Sequence, residues 1–297
     1  MQLMHYGARR LTRPAADFRL FGLDPLTGLI GAELDLDLTA PLSAEVTAEL
    51  RRALLEWKVL FFRDQDLTPE RHLEIARIWG EPEANPFFPR AGAAAISRLA
   101  KDARSMGMEN IWHSDHSFLA EPARLSVLRA VEVPPCTGDT LWADMAAAYD
   151  NLPADVKSRI DALEAEHDWV ASWGLLMTEE QIAELRERLP TVRHPVVKKH
   201  PETGRPTLYV NEPFTTRILG ADDELLEYLR AQARVPEYQV RFRWAPGSVA
   251  IWDNWAVQHY AVNDYHPQPR VMERVAVAGT GWLQPSRRTR HPAARHT

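Results

Sequence analysis

The chain has 297 residues, 45% of them hydrophobic and 26% charged, values that allow a sizeable core and exclude a disordered or fibrous chain. A net charge of −6 with no basic stripe argues against nucleic acid as a partner, and the one basic cluster, Arg287 to Arg295, reads as part of a flexible tail over residues 285–297. The single cysteine, Cys136, excludes an internal disulfide and a thiolate metal cage. No stretch approaches the ~20 apolar residues of a membrane span, and no apolar signal core opens the chain, so we expect a cytoplasmic protein with no membrane partner.

Sandwiches and barrels of this length fold as one unit, and we expect a single domain over residues 1–297. From Phe18 to Leu36, short apolar runs alternate with Gly22, Pro25, Gly28 and Gly31, as in short strands joined by turns. Ser43 then caps a predicted helix whose stripe is Val46, Leu50, Ala53, Leu54 and Trp57. Val59 to Phe62 is a buried strand, and a second helix opens at Thr68-Pro69 and runs to Gly80, with Leu73, Ala76 and Trp79 on its apolar face. Residues 81–108, rich in Pro, Gly and Ala, read as a loop over the site.

A strand at His113 precedes another at Leu125 to Val131, and Gly138-Asp139-Thr140 turns into the next. Helices follow at Met145 to Leu163, broken near Pro153, at Thr178 to Leu189 and at Asp222 to Ala233, with a strand at Thr207 to Asn211 between the last two. The end is strand-rich: Tyr238 to Trp244, Ser248 to Trp252 after the turn Pro246-Gly247, and Val271 to Val277. Late strands joined by turns rather than crossover helices favour an antiparallel double sheet, and a jelly roll would let distant segments meet at one barrel mouth.

Two segments concentrate the chemistry: Trp112-His113-Ser114-Asp115-His116-Ser117-Phe118 and Trp252-Asp253-Asn254-Trp255-Ala256-Val257-Gln258-His259. On a strand, His113 and Asp115 leave the same face and can point at one atom, which we read as a metal. A lone His-x-Asp arises by chance in a chain with 11 histidines, so the reading depends on its surroundings. Two ligands leave most of a coordination sphere empty, and His259 is the best candidate for a third. Two imidazoles and a carboxylate on one side of an ion form the facial triad suited to Fe(II), with open positions for substrates and oxygen. His116 would leave the opposite face from Asp115 and supports or structures the site, while His194-Pro195 and His200-Pro201 read as structural loop residues.

Asp264 to Arg274 is a second cluster. Arg274 and Met272 alternate on a strand and share the face of Ala276. An arginine buried without a partner costs several kcal/mol, so it must meet an anion, and a carboxylate matches its planar fork. A structural pair with one of the 41 acids, or exposure to solvent, is the other possibility.

These motifs, together with Gly138-Asp139-Thr140-Leu141-Trp142, Val210-Asn211-Glu212-Pro213-Phe214-Thr215-Thr216-Arg217 and Arg270 to Arg274, resemble the taurine dioxygenase (TauD/TfdA) family of Fe(II)/2-oxoglutarate oxygenases from about Asp24 to Gly279. That family includes 2,4-dichlorophenoxyacetate dioxygenases and alkylsulfatases. The resemblance implies a mainly β protein with flanking helices around a double-stranded β-helix (jelly roll, cupin-like) core. It also implies Fe(II), 2-oxoglutarate and O2, with release of succinate and CO2, and a homo-oligomer, dimer or tetramer. By the same resemblance His113, Asp115 and His259 are the iron ligands, Arg274 and Thr140 hold 2-oxoglutarate, Arg270 binds the substrate's anionic group, and Trp173 and Phe214 wall the substrate.

Departures from the family pattern argue against taurine itself. Asn85 precedes Pro86 where the family has His, Glu109 stands in place of an Asn that meets the taurine amine, and Trp173 replaces a Phe. Glu109 would accept a cationic amine, exclude a second anion, or face water. The expected activity is hydroxylation of an aliphatic C–H in a small sulfonate, sulfate ester or carboxylate. A tailoring oxygenase (hydroxylase or desaturase) of a biosynthetic pathway and a non-catalytic barrel that binds a metal or a small acid are the alternatives. The intact triad with Arg274 weighs against the barrel, and retention of Asp115 against a halogenase.

Overall fold

Residues 11–14, 17–83, 95–105 and 107–279 are described in a computed structural model; Asn85 and the basic tail lie outside them. The chain begins with the hairpin β1 (Gly22–Pro25) and β2 (Ala32–Asp35), then α1 (Ala44–Trp57), β3 (Val59–Phe62) and α2 (Pro69–Arg77). The middle holds β4 (Pro82–Glu83), β5 (Ile96–Lys101), β6 (Leu125–Glu132), β7 (Thr140–Asp144), α3 (Met145–Asp150), α4 (Ala154–Ile160) and β8 (Glu164–His167). Next come α5 (Glu179–Arg188), β9 (Val192–Pro195), β10 (Val197–Lys199), β11 (Pro206–Leu208), β12 (Thr215–Ile218) and α6 (Asp223–Arg230). The end is β13 (Gln239–Phe242), β14 (Val249–Asp253), β15 (Val257–Ala261) and β16 (Arg270–Val277).

The larger sheet runs β1-β2-β3-β14-β6-β16-β4, with β5 also paired to β16; a smaller, three-stranded one is β13-β7-β15, and β12-β8-β9 and β10-β11 form two further sheets. Strand parity explains how the first two stack. Phe61, Leu128, Ala130, Ala250, Trp252 and Met272 of the larger sheet join Trp142, Val240, Phe242 and Val257 of the smaller one in a single apolar core. Their strand neighbours Leu60, Phe62, Val127, Ile251 and Val275 turn the other way and pack on Leu50, Leu54, Trp57 and Ile75 of α1 and α2. The larger sheet is thus buried on both faces, which is why Val59 to Phe62 reads as a continuous apolar run. The two facing sheets make the double-stranded β-helix expected from the sequence.

Local signals set the helix starts. Ser43 Oγ accepts from Val46 N at 3.2 Å, Thr68 Oγ1 from Arg71 N at 3.2 Å, and Thr178 forms a capping box with Gln181. No helix among the described residues is long and apolar enough to cross a membrane.

Three expectations need correction. Ile96–Lys101, expected as loop, is strand β5, paired antiparallel along β16. His113 lies not in a strand but in an isolated bridge to His259, and Asp115 opens a turn in which His116 is left-handed, φ 56°. The second helix stops at Arg77 rather than Gly80, although Trp79 is still buried.

Candidate active site

The bridge between His113 and His259 is closed by two backbone hydrogen bonds, His113 N to His259 O at 3.0 Å and His259 N to His113 O at 2.8 Å. Their rings consequently lie side by side with centroids 4.1 Å apart. The turn after His113 swings Asp115 inward, and ligand atoms of His113, Asp115 and His259 all fall within 4.8 Å of one another. Asn254 fixes that turn: its Oδ1 accepts from Asp115 N at 2.7 Å, and its Nδ2 donates to Asp115 O at 2.9 Å and Ala123 O at 2.7 Å.

These donors fit a divalent iron. His113 Nδ1 contacts Ile111 O at 2.7 Å, which makes Nδ1 the protonated nitrogen and leaves Nε2 free to ligate. Burial, then the neighbouring His113, holds His259 well below the ordinary histidine value despite Asp115, so it is neutral, as a ligand must be. Burial opposes ionisation of Asp115, but Arg274 and then His259, His116 and His113 outweigh it and hold the carboxyl well below its usual range. Asp115 Oδ2 accepts from Ser126 Oγ at 2.8 Å, while Oδ1 lies 4.0 Å from His259 Nε2 and receives Arg274 Nη1.

Arg270 and Arg274 both point into the barrel, on the parity of Met272, and both border a small cavity, but of the two it is Arg274 that also lines a larger one. Arg270 lines the small cavity, of about 60 Å³, beside His113, His259, Tyr265 and Asn263. Its Nη2 donates to Gly138 O at 3.1 Å, and its Nε has no acceptor among the described residues. Gly138 has φ 67°, and a Cβ there would come within 2.8 Å of Arg270 Nε, so this close approach requires glycine. Thr140 belongs to the same end: it pairs in register with Ala261, which also lines the small cavity. Thr140 Oγ1 accepts from Trp244 Nε1 at 2.9 Å, leaving its hydroxyl hydrogen to donate.

Arg274 reaches Asp115 and lines a second cavity of about 340 Å³ with Phe118, Trp173, Met177 and Phe214. Phe118 contacts both expected wall residues, with ring centroids 4.9 Å from Phe214 and 5.7 Å from Trp173. The sequence reading grouped Arg270 with the aromatic walls and Arg274 with Thr140. In the structure Arg274, which borders both cavities, is the one that reaches the aromatic walls, while Arg270 lies at the Gly138–Thr140 end.

Glu109 borders both cavities, with Oε1 3.3 Å from Lys101 Nζ and Oε2 accepting from Met108 N at 2.9 Å. Burial works against its charge, yet Lys101 and the Met108 N–H keep its carboxyl below the usual value. Its cationic partner is therefore already within the chain. His116, expected to face away from Asp115, instead borders the larger cavity, with Nδ1 2.9 Å from Glu83 Oε1 and Nε2 3.5 Å from Arg274 Nη2. Its left-handed backbone reverses the parity that a strand would impose. Sequence reasoning passed over Lys101, Phe118, Ser126 and Asn254. Phe118 and Asn254 carried a signal, each lying within one of the two chemistry-bearing segments.

Known proteins share much of this sequence and its fold. The chain is 37% identical over 271 residues to an alkylsulfatase of Acinetobacter baylyi, covering 86% of this chain and 84% of that one. It is also 37% identical over 268 residues to an alpha-ketoglutarate-dependent sulfate ester dioxygenase of Pseudomonas putida, covering 86% and 88%. The crystal structure of a taurine dioxygenase from Burkholderia xenovorans superposes with a TM-score of 0.75 at 35% identity, over 87% of this chain and 91% of that one. Residues 23–276 match the model of the taurine catabolism dioxygenase TauD, TfdA family, and the chain belongs to that family of Fe(II)- and 2-oxoglutarate-dependent dioxygenases.

Proposed function

We propose that the protein hydroxylates the carbon next to oxygen or sulfur in a monoanionic sulfate ester or sulfonate with an apolar body. Arg274 holds the anionic group, and Arg270 with Thr140 holds the far carboxylate of 2-oxoglutarate. This exchanges the two arginines relative to the sequence expectation. One observation carries the reading: of the two arginines bordering the small cavity, Arg274 also lines the larger one walled by Phe118, Trp173 and Phe214, whereas Arg270 does not and, among the described residues, donates to the Gly138 carbonyl.

Iron(II) bound by His113, Asp115 and His259 would supply the oxidant from O2 and 2-oxoglutarate, one oxygen atom going to succinate and one to the substrate carbon. The chain's own task is placement. Arg274 fixes one end of the substrate close to Asp115, and the aromatic walls hold the reacting carbon and exclude water. Burial pulls Arg270 below the ordinary arginine value, against Tyr265, Glu109, Asp139 and Asp264, so a carboxylate there recovers charge pairing that the protein alone does not provide. Hydroxylation beside a sulfate oxygen gives a hemiacetal-type product, which loses sulfate to leave an aldehyde. The apolar wall and the already paired Glu109 favour an alkyl body over an ammonium group, and the sulfate ester relatives point the same way.

Succinate release by the iron-loaded protein in air tests this directly. Hexyl sulfate should stimulate turnover at least ~10-fold more than taurine, since transferring even two methylenes to an apolar wall contributes ~1.6 kcal/mol. Equal stimulation by taurine would contradict the reading.

A further inference from the structure

We propose that Arg274 is a cation shared between the metal ligand Asp115 and the substrate's anionic group, so that metal and substrate bind with positive coupling. The inference rests on the reading of Arg274 as the substrate's anion partner.

The two carboxylate oxygens of Asp115 have different partners. Oδ2 is committed to Ser126 Oγ at 2.8 Å. Oδ1 lies 4.0 Å from His259 Nε2, on the side of the other ligands, and it is Oδ1 that Arg274 Nη1 contacts. The oxygen that would meet the metal is thus the one held by the guanidinium. Among the described residues Asp115 is the only carboxylate paired with Arg274, whose Nε has no acceptor there and whose Nη2 is 3.5 Å from His116 Nε2.

A divalent cation arriving at Oδ1 therefore meets a positive group already on that oxygen, in a site where both groups are largely desolvated. Arg274 weakens metal binding when alone. An anion in the larger cavity offers the guanidinium a second partner, offsets its charge and frees Oδ1 for the metal. Linkage makes the effect reciprocal: the metal must raise the anion's affinity by the same factor. The protein would then favour a metal-loaded site when substrate is present.

Calorimetric titration of the whole protein with Mn(II), a stand-in for Fe(II) with no need of turnover, tests the proposal. In wild type, saturating hexyl sulfate should tighten the Mn(II) Kd by ~10-fold, within the usual range of allosteric coupling. Arg274→Gln should bind Mn(II) more tightly than wild type without any anion and should not respond to hexyl sulfate. Arg274→Lys, which keeps a positive charge beside Asp115, should stay nearer the wild-type value. Weaker Mn(II) binding by an Arg274→Gln protein that still unfolds cooperatively would overturn the proposal, because it would make Arg274 a structural support of Asp115. Hexyl sulfate that binds wild type without changing the Mn(II) Kd would overturn it too. If hexyl sulfate does not bind wild type, the substrate reading of Arg274 fails instead, and the anion-free Arg274→Gln measurement still decides whether arginine and metal contest Oδ1.

Discussion

Exchanging the two arginines makes a prediction that separates them. Arg270→Gln removes a buried guanidinium that, among the described residues, hydrogen-bonds to Gly138 O at 3.1 Å. No acid is orphaned by the change, since Asp139 keeps Arg241 at 2.7 Å and Asp264 keeps the Gly138 N–H at 2.6 Å, so the fold should survive. A hydrogen bond to a charged group is worth ~1.5–3 kcal/mol, and a forked pair with the co-substrate carboxylate is expected to lose ~3–4 kcal/mol. At ~1.4 kcal/mol per tenfold, that is a 100- to 1,000-fold rise in the KM for 2-oxoglutarate. The KM for hexyl sulfate should move by less than ~3-fold. Steady-state succinate assays that vary each substrate in turn read both constants, with Arg274→Gln run alongside as the converse case. The mirror result, Arg274→Gln raising the 2-oxoglutarate KM while Arg270→Gln raises that of the sulfate ester, would refute the assignment and restore the order read from the sequence.

Ser126→Ala removes the hydroxyl on Asp115 Oδ2 and should weaken metal affinity ~10-fold, as loss of a ligand's supporting hydrogen bond does elsewhere; an unchanged Mn(II) Kd would show that Ser126 does not orient the ligand. Trp173→Ala opens one wall of the larger cavity and should shift the best alkyl sulfate toward longer chains in a kcat/KM series, whereas an unshifted optimum would place the chain elsewhere. Burial lowers His72 to about 4 and His194 to about 3 from 6.5, so both are neutral in the fold and protonate more readily when unfolded. Their contribution is intact above pH ~6.5 and is lost as pH falls toward those values, about 3–4 kcal/mol for the pair between pH 7 and 5. Urea denaturation at the two pH values checks this, and equal stabilities would rule it out.

What could be read from the sequence was local or periodic. Ser43, Thr68 and Thr178 announced their helices because each cap acts within three residues. Val59 to Phe62 announced a buried strand because both of its faces meet apolar layers. Strand β5 escaped because Ile-Ser-Arg-Leu-Ala-Lys is an edge strand with a half-exposed face, so its alternation is weak and its pairing to β16 is entirely non-local. Lys101, at its end, was missed with it. The Asp115 turn escaped for a similar reason: Asn254 holds its backbone from the end of β14, and nothing near Asp115 in the sequence signals that clamp.

The arginines show the limit most sharply. A strand period of two placed Arg270, Met272 and Arg274 on one inward face correctly, but parity says nothing about depth. Four residues along a strand span ~13 Å, enough for Arg274 to border the larger cavity while Arg270 does not. Depth is set by the partner strands. Arg270 stands opposite Lys101, at the end of the barrel near Gly138. Arg274 stands opposite Leu128, one inward step from the Ala276–Ser126 pair, and Ser126 is bonded to Asp115. Counting positions from His259 along one chain cannot see that registration. The arginine beside the metal ligand is therefore the one that the β16–β6 register sets opposite Leu128, two residues along β6 from Ser126, and a shift of four residues in that register would bring Arg270 there instead while leaving the sequence pattern unchanged.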